Sequence, residues 1–242
     1  MRVALFVTCL VDAWVPQVGR AVIQILDRLG VSVDVPLDQS CCGQMHVNTG
    51  YPGLAVPLIE RYTRTFGRYD AIVVPSGSCA AAIRHQHADV AASAGDQALA
   101  RRATAVAGRT HELTEFLVDV LGVVDVGAYF PHRVTYHPAC HSMRVLRLGD
   151  RPDRLLRAVH GIDLAELPDA AQCCGFGGTF AVKNAAVSAA MLADKAAAVR
   201  STGAAFCTAA DASCLLHIGG GLSRAGTGIQ ARHIAEILAS TR

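Results

Sequence analysis

Nine cysteines, at positions 9, 41, 42, 79, 140, 173, 174, 207 and 214, constrain this 242-residue chain more than any other feature. Moving the first four by 131, 132, 132 and 135 positions lands them on Cys140, Cys173, Cys174 and Cys214, and only Cys207 has no counterpart. Both adjacent pairs run into glycine, as Cys41-Cys42-Gly43 and Cys173-Cys174-Gly175. Both last cysteines follow a polar residue three positions earlier, in Ser76-Gly77-Ser78-Cys79 and Asp211-Ala212-Ser213-Cys214. Each copy then closes on a short helical signature, Thr114-Glu115-Phe116-Leu117 and Ala235-Glu236-Ile237-Leu238. Chemistry-bearing residues repeated at a near-constant offset read as a duplicated fold. The boundary is expected between Asp125 and His132, where Gly127 and Pro131 punctuate the chain, giving halves 1–128 and 129–242.

The pattern of apolar residues predicts the same order of elements in both halves. In the first, strand Val3–Val7 leads to helix Val18–Leu29, which stops at Gly30. Strand Val31–Val35, a polar loop Cys41–Gly50, helix Leu54–Phe66 and strand Ala71–Val74 follow, with a helix after Cys79. The second half runs through strand Val134–Tyr136, helix Arg151–Val159, strand Asp163–Glu166 and loop Cys173–Gly178. Helix Val182–Arg200, strand Ala205–Thr208 and helix Cys214–Ile218 complete it. Strands alternating with helices predict an α/β protein of two tandem pseudo-symmetric halves, each a small, mostly parallel sheet with flanking helices. The Ala-rich stretch Ala80–Ala107 reads as a helical spacer that lengthens the first copy.

Composition narrows the function. With 52% hydrophobic and 17% charged residues the chain can bury full cores, which excludes a disordered protein. A net charge of +2 offers no basic face for nucleic acid. No apolar run is long enough to span a membrane. The opening Met1-Arg2-Val3-Ala4-Leu5-Phe6-Val7-Thr8-Cys9 lacks a small-residue cleavage site and reads as a buried strand, so a cytoplasmic location is expected. There cysteines stay reduced and point to metal or redox chemistry.

In this fold reading every paired cysteine lies just past the carboxyl end of a strand, the edge at which open α/β sheets bind ligands. The four of each half then converge on one point. Four thiolates suit zinc or an iron–sulfur cluster. Structural zinc sites use spaced knuckle pairs, whereas directly adjacent ligands suit the separate iron corners of a wider [4Fe–4S] cluster. Gly43 and Gly175 are expected to let the backbone approach such a cluster. Zinc, a dithiol/disulfide pair and a purely buried role are the alternatives.

The motifs Leu5–Asp12, Cys41-Cys42-Gly43-Gln44, Pro75–Cys79, Tyr136–His141, Cys173–Phe180 and His233–Leu238 resemble those of CCG cysteine-rich-domain proteins. That group includes the cysteine-rich component of heterodisulfide reductase and the iron–sulfur component of glycolate oxidase. Over nearly its whole length the chain is most similar to the lactate-utilisation protein A branch. The resemblance implies an iron–sulfur component of a three-part cytoplasmic system oxidising L-lactate to pyruvate. It implies one cluster in each half, held by Cys9, Cys41, Cys42 and Cys79 and by Cys140, Cys173, Cys174 and Cys214. Partners would be the other subunits, including a ferredoxin-type iron–sulfur protein. The heterodisulfide reductase pattern has a fifth cysteine where this chain has Ser76 and Asp211. Four-ligand cubanes are therefore expected in place of that branch's noncubane clusters. A thiol/disulfide redox role and a zinc-stabilised scaffold are the competing functions. No flavin, nicotinamide or phosphate-loop motif is present.

Other residues have two readings each. Cys207, within an apolar strand, reads as a buried thiol. His137, His141 and His46, close to the cysteines, can donate to sulfur, bind substrate or merely pack. Arg144, one turn past Cys140, can offset charge or stay solvated. His111-Glu112 lacks the second histidine of a zinc-protease motif and reads as a helix start.

Overall fold

The computed structural model describes all residues, 1–242. The first half contains β1 (Val3–Leu5), α1 (Cys9–Trp14), α2 (Gln17–Arg28), β2 (Val33–Asp34), α3 (Gln44–Asn48) and α4 (Val56–Phe66). It continues through β3 (Ala71–Val74), α5 (Gly77–His85), α6 (His87–Ser93), α7 (Gln97–Ala107), β4 (Thr110–Glu112) and α8 (Leu113–Glu115). The second half contains β5 (Arg133–Tyr136), α9 (Arg151–Arg157), β6 (Asp163–Ala165), α10 (Phe180–Lys183) and α11 (Ala185–Ser201). It ends with β7 (Phe206–Ala209), α12 (Ala212–Arg224), β8 (Gln230–His233) and α13 (Ile234–Ala239).

Each half is a four-stranded sheet, in the orders β2-β1-β3-β4 and β6-β5-β7-β8, and every pairing is parallel. The α/β expectation of two pseudo-symmetric halves is met. The chain winds outward from β1 to β2, then crosses back so that β3 lies on the other side of β1. Strand order therefore reverses between β1 and β3, and again between β5 and β7, the topological switch points of such sheets. The central strands β3 and β7 are buried throughout, as strands covered on both faces must be.

Several predicted boundaries move. The segment Cys41–Gly50 contains α3, capped by Gly43 in the left-handed region, where a loop was expected. The predicted helix Val182–Arg200 is broken at Asn184, whose extended φ of −125° separates α10 from α11. Helix α12 runs past Ile218 through Gly219-Gly220-Gly221 to Arg224. Two of these glycines have no room for more: a Cβ at Gly219 would lie 2.8 Å from Ala231 Cβ, and one at Gly221 3.0 Å from Leu192. Strands β4 and β8 were not expected from sequence.

The halves share one core. Val18, Val22, Ile25 and Leu26 give α2 an apolar face, which packs on α13 of the other half. Reciprocally, Leu113, Phe116 and Leu117 around α8 meet Leu155 and Leu156 of α9. The Arg28 guanidinium donates to the carbonyls of Val126 (2.9 Å) and Leu238 (3.2 Å), tying α2 to the connector and the C-terminal helix. The Ala-rich spacer forms α6 and α7 and the end of α5; Val90, Leu99 and Ala103 bury Ile59 of α4 in a separate small cluster.

The sheets meet at their carboxyl edges. Just past β3 and β7, Ser76 and Asp211 pair as an isolated antiparallel bridge, and Gly77 N donates to Ala210 O at 3.3 Å. A Cβ on Gly77 would stand 1.9 Å from Ser142 Oγ of the other half. Gly77→Ala is expected to destabilise the fold by about 1–3 kcal/mol through overpacking at this seam, measured by denaturant unfolding.

Glu112 is fully buried where β4 meets α8. Its carboxylate accepts from Thr114 N (2.7 Å) and Glu115 N (3.3 Å), and Glu115 reaches back to Glu112 N in a capping box. Burial pushes its pKa up to about 7 despite these hydrogen bonds. The folded chain thus holds this proton to higher pH than the unfolded chain does. The associated stability is complete below the unfolded value of 4.5 and is lost as pH rises through about 7. The stability of the native chain relative to Glu112→Gln should fall by about 3 kcal/mol over that range, measured by urea unfolding at stepped pH.

Candidate metal centre

Each cysteine of the first set is placed by the carboxyl end of a strand. Cys9 opens α1 after β1, Cys41 and Cys42 lie in the loop after β2, and Cys79 sits in the first turn of α5 after β3. The second set repeats this: Cys140 follows β5, Cys173 and Cys174 follow β6, and Cys214 lies in the first turn of α12 after β7. All are free thiols. Cys42, Cys79 and Cys174 are buried and the other five are half-buried.

Within each set the thiols interact. Cys9 Sγ donates to Cys41 Sγ at 3.5 Å, and Gly43 N donates to the same sulfur at 3.4 Å. Gly175 N likewise donates to Cys173 Sγ at 3.4 Å. Thiol protons on Cys42 and Cys9 pull the Cys41 pKa far down, and those on Cys140 and Cys174 do the same for Cys173. Donating to these sulfurs raises Cys9, Cys42, Cys140 and Cys174 in turn. The N-terminal ends of α5 and α12 face the sets, and their dipoles favour negative charge there.

Gly43 and Gly175 are required by the wall behind them as well as by their φ values of 83° and 90°. A Cβ on Gly43 would lie 3.0 Å from Ala55 Cβ, and one on Gly175 2.7 Å from Ser188 O. The left-handed turn aims each amide at the preceding thiol.

The two sets open onto common space. All eight cysteines line a single cavity of about 950 Å³, mouth included. Ser76, Ser78, Asp211 and Ser213 form its floor at the seam. Asp211 caps both flanking helices: Oδ2 accepts from Ser78 N of the first half (2.8 Å), while Oδ1 accepts from Ser213 N (3.2 Å) and Ser213 Oγ (2.6 Å). Ser76 Oγ donates to Asp211 Oδ2 at 3.3 Å and accepts from Cys79 N. Thus the positions flagged by the missing fifth cysteines hold the halves together. Their pairing could not be read from either motif alone. Gln44, Met45 and Asn48 line the cavity from the first half, and Phe176, Gly177, Gly178 and Thr179 from the second. No lysine or arginine lines it.

The remaining candidates separate. His141 lines the cavity, with Nε2 3.2 Å from Gln44 Nε2 of the other half. His137 is fully buried, and neither ring nitrogen has a hydrogen-bond partner. One of them lies within 4.8 Å of the sulfurs of Cys174 and Cys214. Burial lowers its pKa to about 4, leaving a neutral ring. His46 lies on α3 outside the cavity lining. Arg144 is exposed and donates to Ala171 O (3.0 Å), steadying the loop before Cys173. Cys207 is fully buried on β7 among apolar neighbours, and burial raises its thiol to about 12. Lys195 was not singled out from sequence. It is a fully buried cation whose Nζ donates to Asp169 O at 2.9 Å.

The cysteine-rich CCG domain matches residues 3–84 and again 134–219. The chain belongs to the CCG cysteine-rich domain family. The repeated domain covers both thiol sets and stops before α6 and α7, so the Ala-rich helices are an addition to it. Among curated relatives, Lactate utilization protein A of Geobacillus kaustophilus is 46% identical over 98% of both chains. The protein of the same name from Bacillus velezensis is 44% identical over 99% of this chain and 100% of its own. That from Oceanobacillus iheyensis is 42% identical over 100% and 98%.

The donor sets of the two CCG domains fit soft, thiophilic metal chemistry: four thiols each, with backbone N–H groups directed at sulfur and helix ends facing them. If each four-thiol set holds its own metal, Cys42→Ser and Cys174→Ser each lose about half of it while the other set stays loaded. Elemental analysis of the two variants checks this; complete retention in both would remove these cysteines from the ligand set.

Proposed function

We propose that this chain is an iron–sulfur electron-transfer component of a multi-subunit cytoplasmic system that oxidises L-lactate to pyruvate and supports growth on lactate. The reading gives residues 1–128 and 129–242 one [4Fe–4S] cluster each. Cys9, Cys41, Cys42 and Cys79 would hold the first, and Cys140, Cys173, Cys174 and Cys214 the second. Its partners are the other lactate-utilisation subunits, including a ferredoxin-type iron–sulfur protein.

The observation that carries this reading is the single cavity onto which both four-thiol sets open. Bound iron–sulfur groups supply one-electron redox chemistry. Lactate oxidation to pyruvate releases two electrons and two protons, and two one-electron sites match that number. The names of the relatives, Lactate utilization protein A, supply the substrate. The chain's own residues do the rest. Gly43 and Gly175 direct amides at sulfur, and α5 and α12 direct their positive ends at the same places, together offsetting the negative charge of the loaded sites. The buried Ser76–Asp211 pair closes the seam between the halves beside the cavity.

Lactate itself is assigned to a partner. A carboxylate is recognised by arginine or lysine, and the cavity lining contains neither. The test is anaerobic mixing of L-lactate with the iron-loaded chain, alone and with its partner subunits, followed by visible absorbance. Bleaching only with the partners present is expected. Bleaching of the isolated chain by lactate, or none in the complete system, would contradict the relay role.

A further inference from the structure

The duplication is not exact where it matters most. Counting back three residues from the first cysteine of each set gives Phe6 in one half and His137 in the other. Both are buried, and each directly follows an inner strand of its sheet. Phe6 packs edge-on against Tyr62 (ring centroids 5.2 Å apart) and Phe66 (5.6 Å), completing an aromatic wall. His137 has no such wall, and its ring makes no hydrogen bond. Two buried ring nitrogens without partners carry a desolvation penalty that a native fold leaves standing only for a reason. The nearest atoms able to relieve it are at the metal site, since a ring nitrogen and the sulfurs of Cys174 and Cys214 lie within 4.8 Å of one another.

A second asymmetry has the same sign. Helix α11, which walls the second site, carries Lys195, with no exposed surface and with Nζ held by the carbonyls of Asp169 (2.9 Å) and Ala170 (3.5 Å). Burial works against its charge, while the neighbouring thiols of Cys174, Cys207 and Cys140 and the Asp169 carboxylate favour it. The corresponding helix of the first half, α4, buries Tyr62, Thr63 and Phe66 and no cation. Asp211 does not undo the difference, because its carboxylate caps helices of both halves at the seam.

Resting on the iron–sulfur reading above, we propose that the two sites are unequal electron acceptors. His137 donates an N–H to sulfur of the group bound by Cys140, Cys173, Cys174 and Cys214, and with the Lys195 charge it makes that site the stronger acceptor. Hydrogen bonds to sulfur and nearby positive charge stabilise the reduced, more negative state, so they raise the reduction potential. One electron delivered by the lactate-oxidising partner therefore reduces the second-half site first. The first-half site, backed by Phe6 and Tyr62, is reduced by the next electron. His137 is a positioning and tuning residue here, not a ligand.

The experiment is an anaerobic potentiometric titration of the full, iron-loaded chain followed by electron paramagnetic resonance. The native chain should show two one-electron steps. Cys174→Ser should lack the higher step and Cys42→Ser the lower, which assigns each step to its half. His137→Phe installs the residue that the first half already carries. It should lower the higher step by roughly tenfold in its reduction equilibrium, about 59 mV for one electron, with the lower step and the iron content unchanged. His137→Gln keeps an N–H donor and should recover most of the shift. Lys195→Met should lower the same step. The inference is overturned if the native sites titrate together, if the higher step belongs to the first half, or if the variants that keep their iron leave it in place. Should the native chain carry no iron and sulfide, the iron–sulfur reading itself fails.

Discussion

The antiparallel meeting of Ser76 with Asp211 governs the rest of the structure. Two parallel sheets, each with a ligand-binding edge at its carboxyl ends, are joined at those edges. Edge-to-edge joining turns two shallow crevices into one cavity and lets the first turns of α5 and α12 share a capping carboxylate. The close approach depends on Gly77, whose missing side chain makes room for Ser142. The reciprocal packing of α2 on α13 and α8 on α9, in the core that the halves share, holds the arrangement together.

Duplication followed by divergence accounts for the site. The parts proposed to hold metal are alike in both halves: thiols past three strand ends, a left-handed glycine, and an amide aimed at sulfur. The parts that surround it differ: an aromatic wall behind one set, an unpartnered imidazole and a buried ammonium behind the other. A scaffold with two copies can keep the ligands constant while each environment changes separately. On the proposed reading, two acceptors of different affinity would suit stepwise transfer from a two-electron oxidation.

Much of this was legible in the sequence because parallel central strands are continuous apolar runs. Ala71-Ile72-Val73-Val74 is buried on both faces and reads as a strand on sight. The edge strands Thr110–Glu112 and Gln230–His233 consist mostly of polar residues, with Thr110, Glu112 and His233 buried and held by hydrogen bonds, so no apolar run marks them. The predicted helix Cys214–Ile218 stopped short of Gly219–Gly221, yet tertiary packing against Ala231 and Leu192 overrode the low helix propensity of glycine. The cysteine offsets located both thiol sets. The meeting of the two sets at one cavity was not legible, since it depends on a contact between residues 135 positions apart whose motifs flag each residue and not their pairing. His137 was visible as a histidine near a cysteine; its lack of any partner is a property of the folded core alone.

Iron, acid-labile sulfide and zinc per chain, measured after strictly anaerobic purification, test the central claim most directly. About eight irons with matching sulfide are predicted, one four-iron cluster for each four-thiol set. Zinc without sulfide would contradict the redox account and leave the paired thiol sets as structural metal sites.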